Sequence, residues 1–423
     1  MSIYKPCDIR GSADGELTPD LYRRWGLALG QQVEPSEKFV VGGDVRDSTP
    51  AFQAGLVRGL CETGLDVVDL GMLPTPMIYY AKRRLAAAGC AIVTASHNPP
   101  EVNGLKWMIG NRPPTEKDVR TLKRGAEAAP RKRKSRTPTD PRSLDVTFDY
   151  VAWLQETWVN VPAVRRPIVL DGMHGAWACR ARRYLQAIFP HSVFSAIHDA
   201  PDGLFGGLSP DCSHPESLAD LGEAVYRERA LLGIAFDGDG DRVAFVDDEG
   251  TPLSAEEATW VLLQSFRKEI ARKPFVYDLK FSDRVPEAAR ELGADPIVER
   301  SGHTFIRNRM LQTGAPFGAE VSGHYFFGDL AGGDDGLFAA CRMIAYLANC
   351  AKPLSQLRRK CPRVYVTPDL RVRVKARYRQ TVVRGVRDAW SKYPQSEVDG
   401  VRVRFPDGWA LVRHSVTESA LTF

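Results

Sequence analysis

Leu231-Leu232-Gly233-Ile234-Ala235-Phe236-Asp237-Gly238-Asp239-Gly240-Asp241-Arg242 decides the reading of this chain. The apolar run up to Phe236 reads as a buried strand of an α/β sheet. The acidic loop then hangs from the carboxyl end of that strand, where ligands collect in open α/β sheets. Gly238 and Gly240 permit the tight turns that bulkier residues resist, so three carboxylates on alternate residues can converge on one ion. An oxygen-only donor set suits magnesium, manganese or calcium better than zinc. An EF-hand would need glycine at loop position six, where Arg242 stands, and flanking helices in place of the strand.

A second segment, Thr94-Ala95-Ser96-His97-Asn98-Pro99, offers a hydroxyl in a turn beside an imidazole, and Asn103-Gly104-Leu105-Lys106 follows it. A serine hydroxyl is a poor nucleophile unless a base or metal assists it. No Gly-x-Ser-x-Gly elbow surrounds Ser96, which argues against an ordinary serine hydrolase. A hydroxyl able to carry phosphate, paired with a divalent-metal loop, is equipment for phosphoryl transfer. The rival chemistry makes Asp237 an aspartyl-phosphate nucleophile and Asp239 its acid/base. It leaves the Ser96 loop without a task, and Asp241 stands where such enzymes usually have Thr or Val.

Working outward, apolar strand-like runs alternate with amphipathic helical stretches. Phe39–Gly43, Leu65–Leu70 and Ala91–Thr94 read as strands, and Ala51–Thr63 as a helix with Phe52, Leu56, Val57 and Leu60 on one face. This rhythm predicts an α/β domain with short crossovers. Ala128–Arg142, rich in Pro, Lys and Arg, reads as an exposed linker, and its run Arg131–Lys134 as a solvated one. Pro167–Gly172 opens a second α/β unit. A third begins near Thr251 and carries a helix around Trp260 and a strand at Phe275–Tyr277. The last sixty residues alternate differently. Val364–Val366, Leu370–Val374, Val401–Phe405 and Trp409–Arg413 read as half-exposed antiparallel strands, interrupted by a helix over Thr381–Lys392.

The bulk numbers agree with an ordinary globular protein of several domains. The 423 residues are 43% hydrophobic and 26% charged, with a formal charge of +5. That charge permits anionic ligands without demanding nucleic acid. The eight cysteines are scattered with no Cys-x-x-Cys pair, which predicts reduced thiols in a cytoplasmic protein. No signal peptide or run of roughly 20 apolar residues suggests a membrane. His174, His191, His198 and His214 lie outside every motif and read as structural or surface residues.

Taken together, these motifs resemble those of the α-D-phosphohexomutase family, closest to its phosphomannomutase/phosphoglucomutase branch. Cys7-Asp8-Ile9-Arg10-Gly11 is similar to the family's amino-terminal motif, Thr94–Lys106 to its phosphoserine loop and Asp237–Arg242 to its metal loop. Ser301-Gly302-His303-Thr304-Phe305-Ile306 and Ala319-Glu320-Val321-Ser322-Gly323-His324 resemble its sugar-reading loops. Arg413-His414-Ser415-Val416-Thr417-Glu418 resembles its phosphate-binding loop. The resemblance runs from Lys5 to Leu421, with the motifs in the family's order.

It implies three consecutive α/β domains (1–147, 148–250, 251–362) and a small, shortened α+β domain (363–423) around a central cleft. It further implies that hexose 6-phosphate and hexose 1-phosphate interconvert through a hexose 1,6-bisphosphate. Ser96 would carry the phosphate and share a magnesium ion with Asp237, Asp239 and Asp241. His97, Arg10, Lys106 and Arg242 would complete the catalytic set, Lys106 as the candidate for proton transfer. Lys280, Gly302, His303, Glu320, Ser322 and His324 would read the sugar, while Arg413, Ser415 and Thr417 grip the distal phosphate. Glucose or mannose 1,6-bisphosphate would serve as activator, and the protein would be a monomer or homodimer.

The Glu-x-Ser-Gly-His loop points to mannose or glucose phosphates. Phosphoglucosamine mutases usually carry Gln at the place of Val321. Three departures stand out. Cys7 replaces a frequent Tyr, Val416 replaces Asn or Gly, and Ser419 stands where Pro is common. The shortened last domain and Val416 also motivate a reading as a sugar-phosphate-binding protein without turnover.

Overall fold

The computed structural model describes residues 2–128, 137–367, 370–414 and 420–423. Four sheets follow one another along the chain.

In the first sheet, Lys38–Gly43 runs parallel to both Asp66–Met72 and Gly89–Val93, with helices Thr49–Cys61 and Thr75–Arg84 as crossovers. The antiparallel strand Val102–Ile109 lies beside Gly89–Val93 and pairs Lys106 with Ile92. The Ser96 loop is therefore the connection between two adjacent central strands, and Lys106 points out of the sheet close to it. In the second sheet Ile168–Asp171 lies parallel to Phe194–Ile197 and Leu232–Phe236. Val243–Val246 returns antiparallel to Leu232–Phe236, so the acidic loop is a hairpin connection at the carboxyl end of a strand with no exposed residue. The third sheet sets Asp295–Glu299, Pro274–Asp278 and Phe317–Ala319 parallel, then Tyr325–Phe327 and Gly333–Asp334 antiparallel. The fourth is wholly antiparallel, in the order Arg371–Arg373, Ala420–Thr422, Gly408–His414, Val401–Phe405 and Gln395–Ser396.

One apolar cluster runs from the first domain (Met77, Ile78) through the second (Trp177, Phe236) into the third (Phe275, Phe317, Phe338), so these units share a core. The fourth domain is thinner. Its helix, Ala376–Ala389, has no fully buried side chain among those described.

Three expectations differ in detail. Val364–Val366 is not a strand. Tyr365 is 92% exposed and Val366 58%, and an alternating pattern becomes a strand only where a neighbour supplies hydrogen bonds. The last helix begins at Ala376, five residues earlier than the apolar spacing suggested, because the preceding Arg and Gln residues are themselves good helix formers. The basic segment ends in structure: Thr139 donates to the Leu65 carbonyl, and Arg142–Ser143 adds a short strand beside Asp66–Met72. Arg131–Lys134 lies outside the described residues. All eight cysteines are free. No described helix is long and apolar enough to cross a membrane.

Candidate active site

Ser96 is 2% exposed and sits at φ 54°, a left-handed conformation that costs a non-glycine residue about 1–2 kcal/mol. The loop is held there by an arginine that the sequence did not single out. Arg46, fully buried, donates to the carbonyls of Ser96 (2.8 Å), Asn98 (2.6 Å) and Pro99 (2.6 Å), and its Nε donates to Asp44. Asp44 in turn accepts from Thr49 and Thr94, and the Thr94 hydroxyl accepts from the Ser96 N–H. The ring of Phe205, from the second domain, lies 4.9 Å from the Arg46 guanidinium carbon.

So placed, the Ser96 hydroxyl donates to Asp237 Oδ2 at 2.9 Å. The other Asp237 oxygen accepts from the backbone N–H groups of Gly240 and Arg242, closing the acidic loop on itself. Gly240 is required by the turn: its φ is +79°, and a Cβ would lie 2.3 Å from the Trp177 ring. At Gly238 a Cβ would meet the Ser96 carbonyl at 2.6 Å, so the two loops touch backbone to backbone.

Lys106 Nζ lies 2.8 Å from Asp239 Oδ2 and 2.5 Å from Asp241 Oδ2, all three side chains being buried. Burial disfavours the Lys106 charge, but Asp239 and Asp241 more than offset it, and its pKa rises above the usual lysine range. Asp239 and Asp241 correspondingly fall below the ordinary carboxylate range: burial works against them, and Lys106 outweighs it. Asp237 is pushed up to about 8, first by burial and then by the charges of Asp239 and Asp241. Three carboxylates thus face an incomplete set of cations. Among the described residues Asp239 Oδ1 and Asp241 Oδ1 are buried without a hydrogen-bond partner, and one ligand oxygen from each of the three acids lies within 4.8 Å of the others. Unpartnered buried oxygens and a surplus of negative charge fit a hard divalent cation.

Arg242 spans the loops. Its Nε donates to His324 Nε2 at 3.0 Å, and the guanidinium lies 3.8 Å from Asp237 and 3.9 Å from Asp211. His324 Nδ1 stands 2.7 Å from Asp334 Oδ2, and Asp241, His324 and Asp334 form a second close group. Arg242 occupies Nε2, so Nδ1 faces Asp334 and, at 3.7 Å, Asp241; burial works against a charge on His324, but these two carboxylates outweigh it and raise its pKa. His97 Nδ1 is 3.3 Å from the Ser96 hydroxyl. Burial and the Arg242 charge keep His97 neutral, well below its usual pKa. Arg10 donates to the Thr94 carbonyl and pairs with Asp8, at the near end of the same loop.

The sugar-side candidates gather on the third domain. Gly302, at φ 131°, precedes the helix His303–Thr313, whose first residue stacks on His324 with ring centres 5.6 Å apart. Glu320 Oε2 and Ser322 Oγ are buried without hydrogen-bond partners among the described residues. Lys280 follows Asp278, which accepts from the N–H groups of Lys280 and Val321 and from Ser301, tying both loops together. A cavity of about 770 Å³ reaches Lys280, Val321 and Gly323 from the side of Cys361–Val366. Arg413 is 8% exposed, donates to Asp399 at 2.8 Å, and keeps Nε without a hydrogen-bond partner among the described residues. Ser415 and Thr417 lie outside the described residues, as do Val416 and Ser419.

Several residues of the site escaped the sequence reading. Thr75 donates to Asp239 Oδ2, as does Thr94 of the serine loop. Asp211 approaches His97 and Arg242, and His214, read as a bystander, is 3.7 Å from Asp211. Asp334 faces His324. Arg402 donates to the carbonyls of Leu279 and Phe281, docking the fourth sheet on the loop that carries Lys280. Apart from the local Asp211–His214 pair, each is a partner across the fold, and only the Asp-Asp pair at 334–335 carries a local signal of its own.

Family models for the three phosphoglucomutase/phosphomannomutase α/β/α domains match residues 2–129, 149–250 and 256–365. The phosphomannomutase/phosphoglucomutase of Pseudomonas aeruginosa is 31% identical over 429 residues, covering 99% of this chain and 90% of that protein. The phosphoglucomutase of Neisseria gonorrhoeae is 30% identical, covering 99% of this chain and 91% of its own length. A crystal structure of a phosphoglucomutase/phosphomannomutase family protein from Burkholderia thailandensis matches with a TM-score of 0.89 at 30% identity, covering 99% of this chain and 92% of that one. Together with the four sheets and the meeting of the serine and acidic loops, these likenesses identify the chain as a member of the phosphoglucomutase/phosphomannomutase family, an isomerase of the phosphohexomutase type.

Proposed function

We propose that the protein interconverts the 6- and 1-phosphates of mannose and glucose, with Ser96 as the phosphate carrier. The observation that carries this reading is the 2.9 Å hydrogen bond from Ser96 to Asp237, which aims the one buried serine of the loop at the acidic triad. Asp237, Asp239 and Asp241, with an oxygen on Ser96, would hold a magnesium ion. When bound, it neutralises charge on the transferring phosphoryl oxygens.

The chain's own residues divide the rest of the work. A sugar hydroxyl attacks phosphorus as the bond to Ser96 Oγ breaks, and its proton passes to Lys106 and in net on to the Ser96 oxygen. In the second half the path reverses: Ser96 Oγ gives up its proton as it is rephosphorylated, and Lys106 returns a proton to the sugar oxygen that loses phosphate. Asp239 and Asp241 hold Lys106 charged; engaged by a cation, those carboxylates would withdraw that support and make the proton-accepting amine form accessible. Arg242, held by His324, contributes fixed positive charge beside Asp237. Arg10 braces the carbonyl of Thr94, and neutral His97 orients the Ser96 oxygen. Glu320 Oε2 and Ser322 Oγ, buried without hydrogen-bond partners among the described residues, suit neighbouring sugar hydroxyls, with His303, Gly302 and Lys280 around them. Arg413, together with Ser415 and Thr417, would grip the distal phosphate, a source of binding energy remote from the reaction. A hexose 1,6-bisphosphate forms between the half-reactions and turns over, and the same compound added in trace would restore phosphate to Ser96.

The test is isomerisation of glucose 1-phosphate and mannose 1-phosphate with magnesium and a trace of glucose 1,6-bisphosphate. Turnover that collapses in Ser96→Ala supports the reading, and the ratio of rates names the preferred sugar. A phosphoenzyme quickly lost to hydroxylamine would instead place the phosphate on an aspartate. Folded wild type that turns over neither sugar overturns the proposal.

A further inference from the structure

This inference rests on the metal reading of the acidic triad. Asp239 belongs to the second domain, yet among the described residues every side-chain donor to its Oδ2 comes from the first. Thr75 Oγ1 donates at 2.7 Å, Lys106 Nζ at 2.8 Å and Thr94 Oγ1 at 3.1 Å. Three donors crowd that oxygen, Thr94 sharing its proton with Asp44, while Oδ1 of the same carboxylate is buried with no hydrogen-bond partner among the described residues. A carboxylate is planar, so fixing one oxygen against three donors also fixes the direction of the other.

Thr75 makes the strongest case among the three. It is completely buried and opens the helix Thr75–Arg84 between Pro74 and Pro76, where the backbone is stiff. Its N–H also donates to the Asp239 carbonyl at 2.9 Å. One residue therefore holds Asp239 at both its main chain and its side chain. Lys106 is a long cation that the chemistry engages, and Thr94 divides its hydroxyl between Asp44 and Asp239.

We propose that Thr75 is a positioning residue for the cation site: it holds Asp239 Oδ2 so that Oδ1 remains free for a hard divalent cation such as magnesium or manganese. The metal site would then be finished only when the first domain is docked against the second. Partners one step removed from a metal typically govern affinity by about 10–100-fold.

The experiment is equilibrium Mn²⁺ binding to the full chain, with free Mn²⁺ counted by electron paramagnetic resonance. Wild type, Thr75→Val, Thr75→Ser and Asp237→Asn are compared. Valine keeps the shape and the backbone bond to Asp239 and removes only the hydroxyl. We expect Thr75→Val to weaken Mn²⁺ binding about tenfold and Thr75→Ser to restore it. Circular dichroism and a cation-free melt establish that each variant is folded. If valine fails to fold, the serine variant together with Thr75→Ala carries the comparison. Folded Thr75→Val with wild-type Mn²⁺ affinity overturns the role of Thr75 while leaving the triad intact. Wild type that binds no Mn²⁺, or binding that is indifferent to Asp237→Asn, overturns the metal reading itself and this inference with it.

Discussion

Arg46 and Ser96 are joined by a 2.8 Å hydrogen bond from a fully buried guanidinium to the serine's own carbonyl. With the bonds to Asn98 and Pro99, that one side chain takes up three carbonyls of a loop that has no regular partner strand. Replacing Arg46 by Met leaves those carbonyls unsatisfied and the buried Asp44 unpaired. We expect a loss of about 3–5 kcal/mol in urea unfolding. Arg46→Lys should retain part of the stability, yet lose most turnover, because a single ammonium cannot reach three carbonyls in the same geometry.

The left-handed backbone of Ser96 separates stability from chemistry. Ser96→Gly relieves the strain at φ 54°, whereas Ser96→Ala keeps it. The glycine variant should therefore be more stable than the alanine variant by about 1 kcal/mol, since part of the relief is offset by the entropy of a freer unfolded chain. Neither should isomerise hexose phosphates. Urea midpoints and the isomerisation assay check the two halves of this expectation.

Asp278 gives the sugar side a pH signature. Burial, and then the Glu320 charge, push its carboxyl up to about 6 from an ordinary value of 3.8. The folded state thus binds a proton that the unfolded state has released, so this group's contribution falls as pH rises through that window and levels off above it. Urea midpoints of wild type and Asp278→Asn, measured from pH 4 to 8, should show wild type losing ground to the variant between about pH 4 and 6. The difference should then stay constant. A gap that widens beyond pH 7 would contradict this assignment.

Arg402 tests how the fourth domain is attached. Its guanidinium donates to two carbonyls flanking Lys280, at 3.1 and 2.9 Å, and lies 4.3 Å from the centre of the Trp409 ring. Arg402→Ala should raise KM for the phosphosugar severalfold with a smaller change in kcat. The lost interaction positions a binding element and not the reacting atoms. Earlier proteolytic cleavage between the third and fourth domains would accompany it.

Local patterns made much of this molecule legible from its sequence. The run up to Phe236 followed by Asp237-Gly238-Asp239-Gly240-Asp241 had to be a buried strand and a tight acidic turn, and it is. The meeting of Ser96 with Asp237, 141 residues away, followed from family motifs in order and not from either segment alone. What stayed hidden was every residue whose significance lies in a distant partner. Arg46 is one arginine among many until its three carbonyls are seen. Thr75 sits in Pro74-Thr75-Pro76, which reads locally only as a turn into a helix. Val364–Val366 failed in the opposite way: it has the alternation of a strand, but not the neighbour that would make it one.

The Asp239 carboxylate, bonded by Thr75, Thr94 and Lys106, is both a candidate ligand and a rivet between two domains. The same atoms are thereby under two selections at once. A substitution of Asp239 that spoils the cation site would also loosen the junction of the two domains. Homologues that abandon catalysis would have to replace the rivet first, and the residue opposite Thr75 is where such a change should be sought.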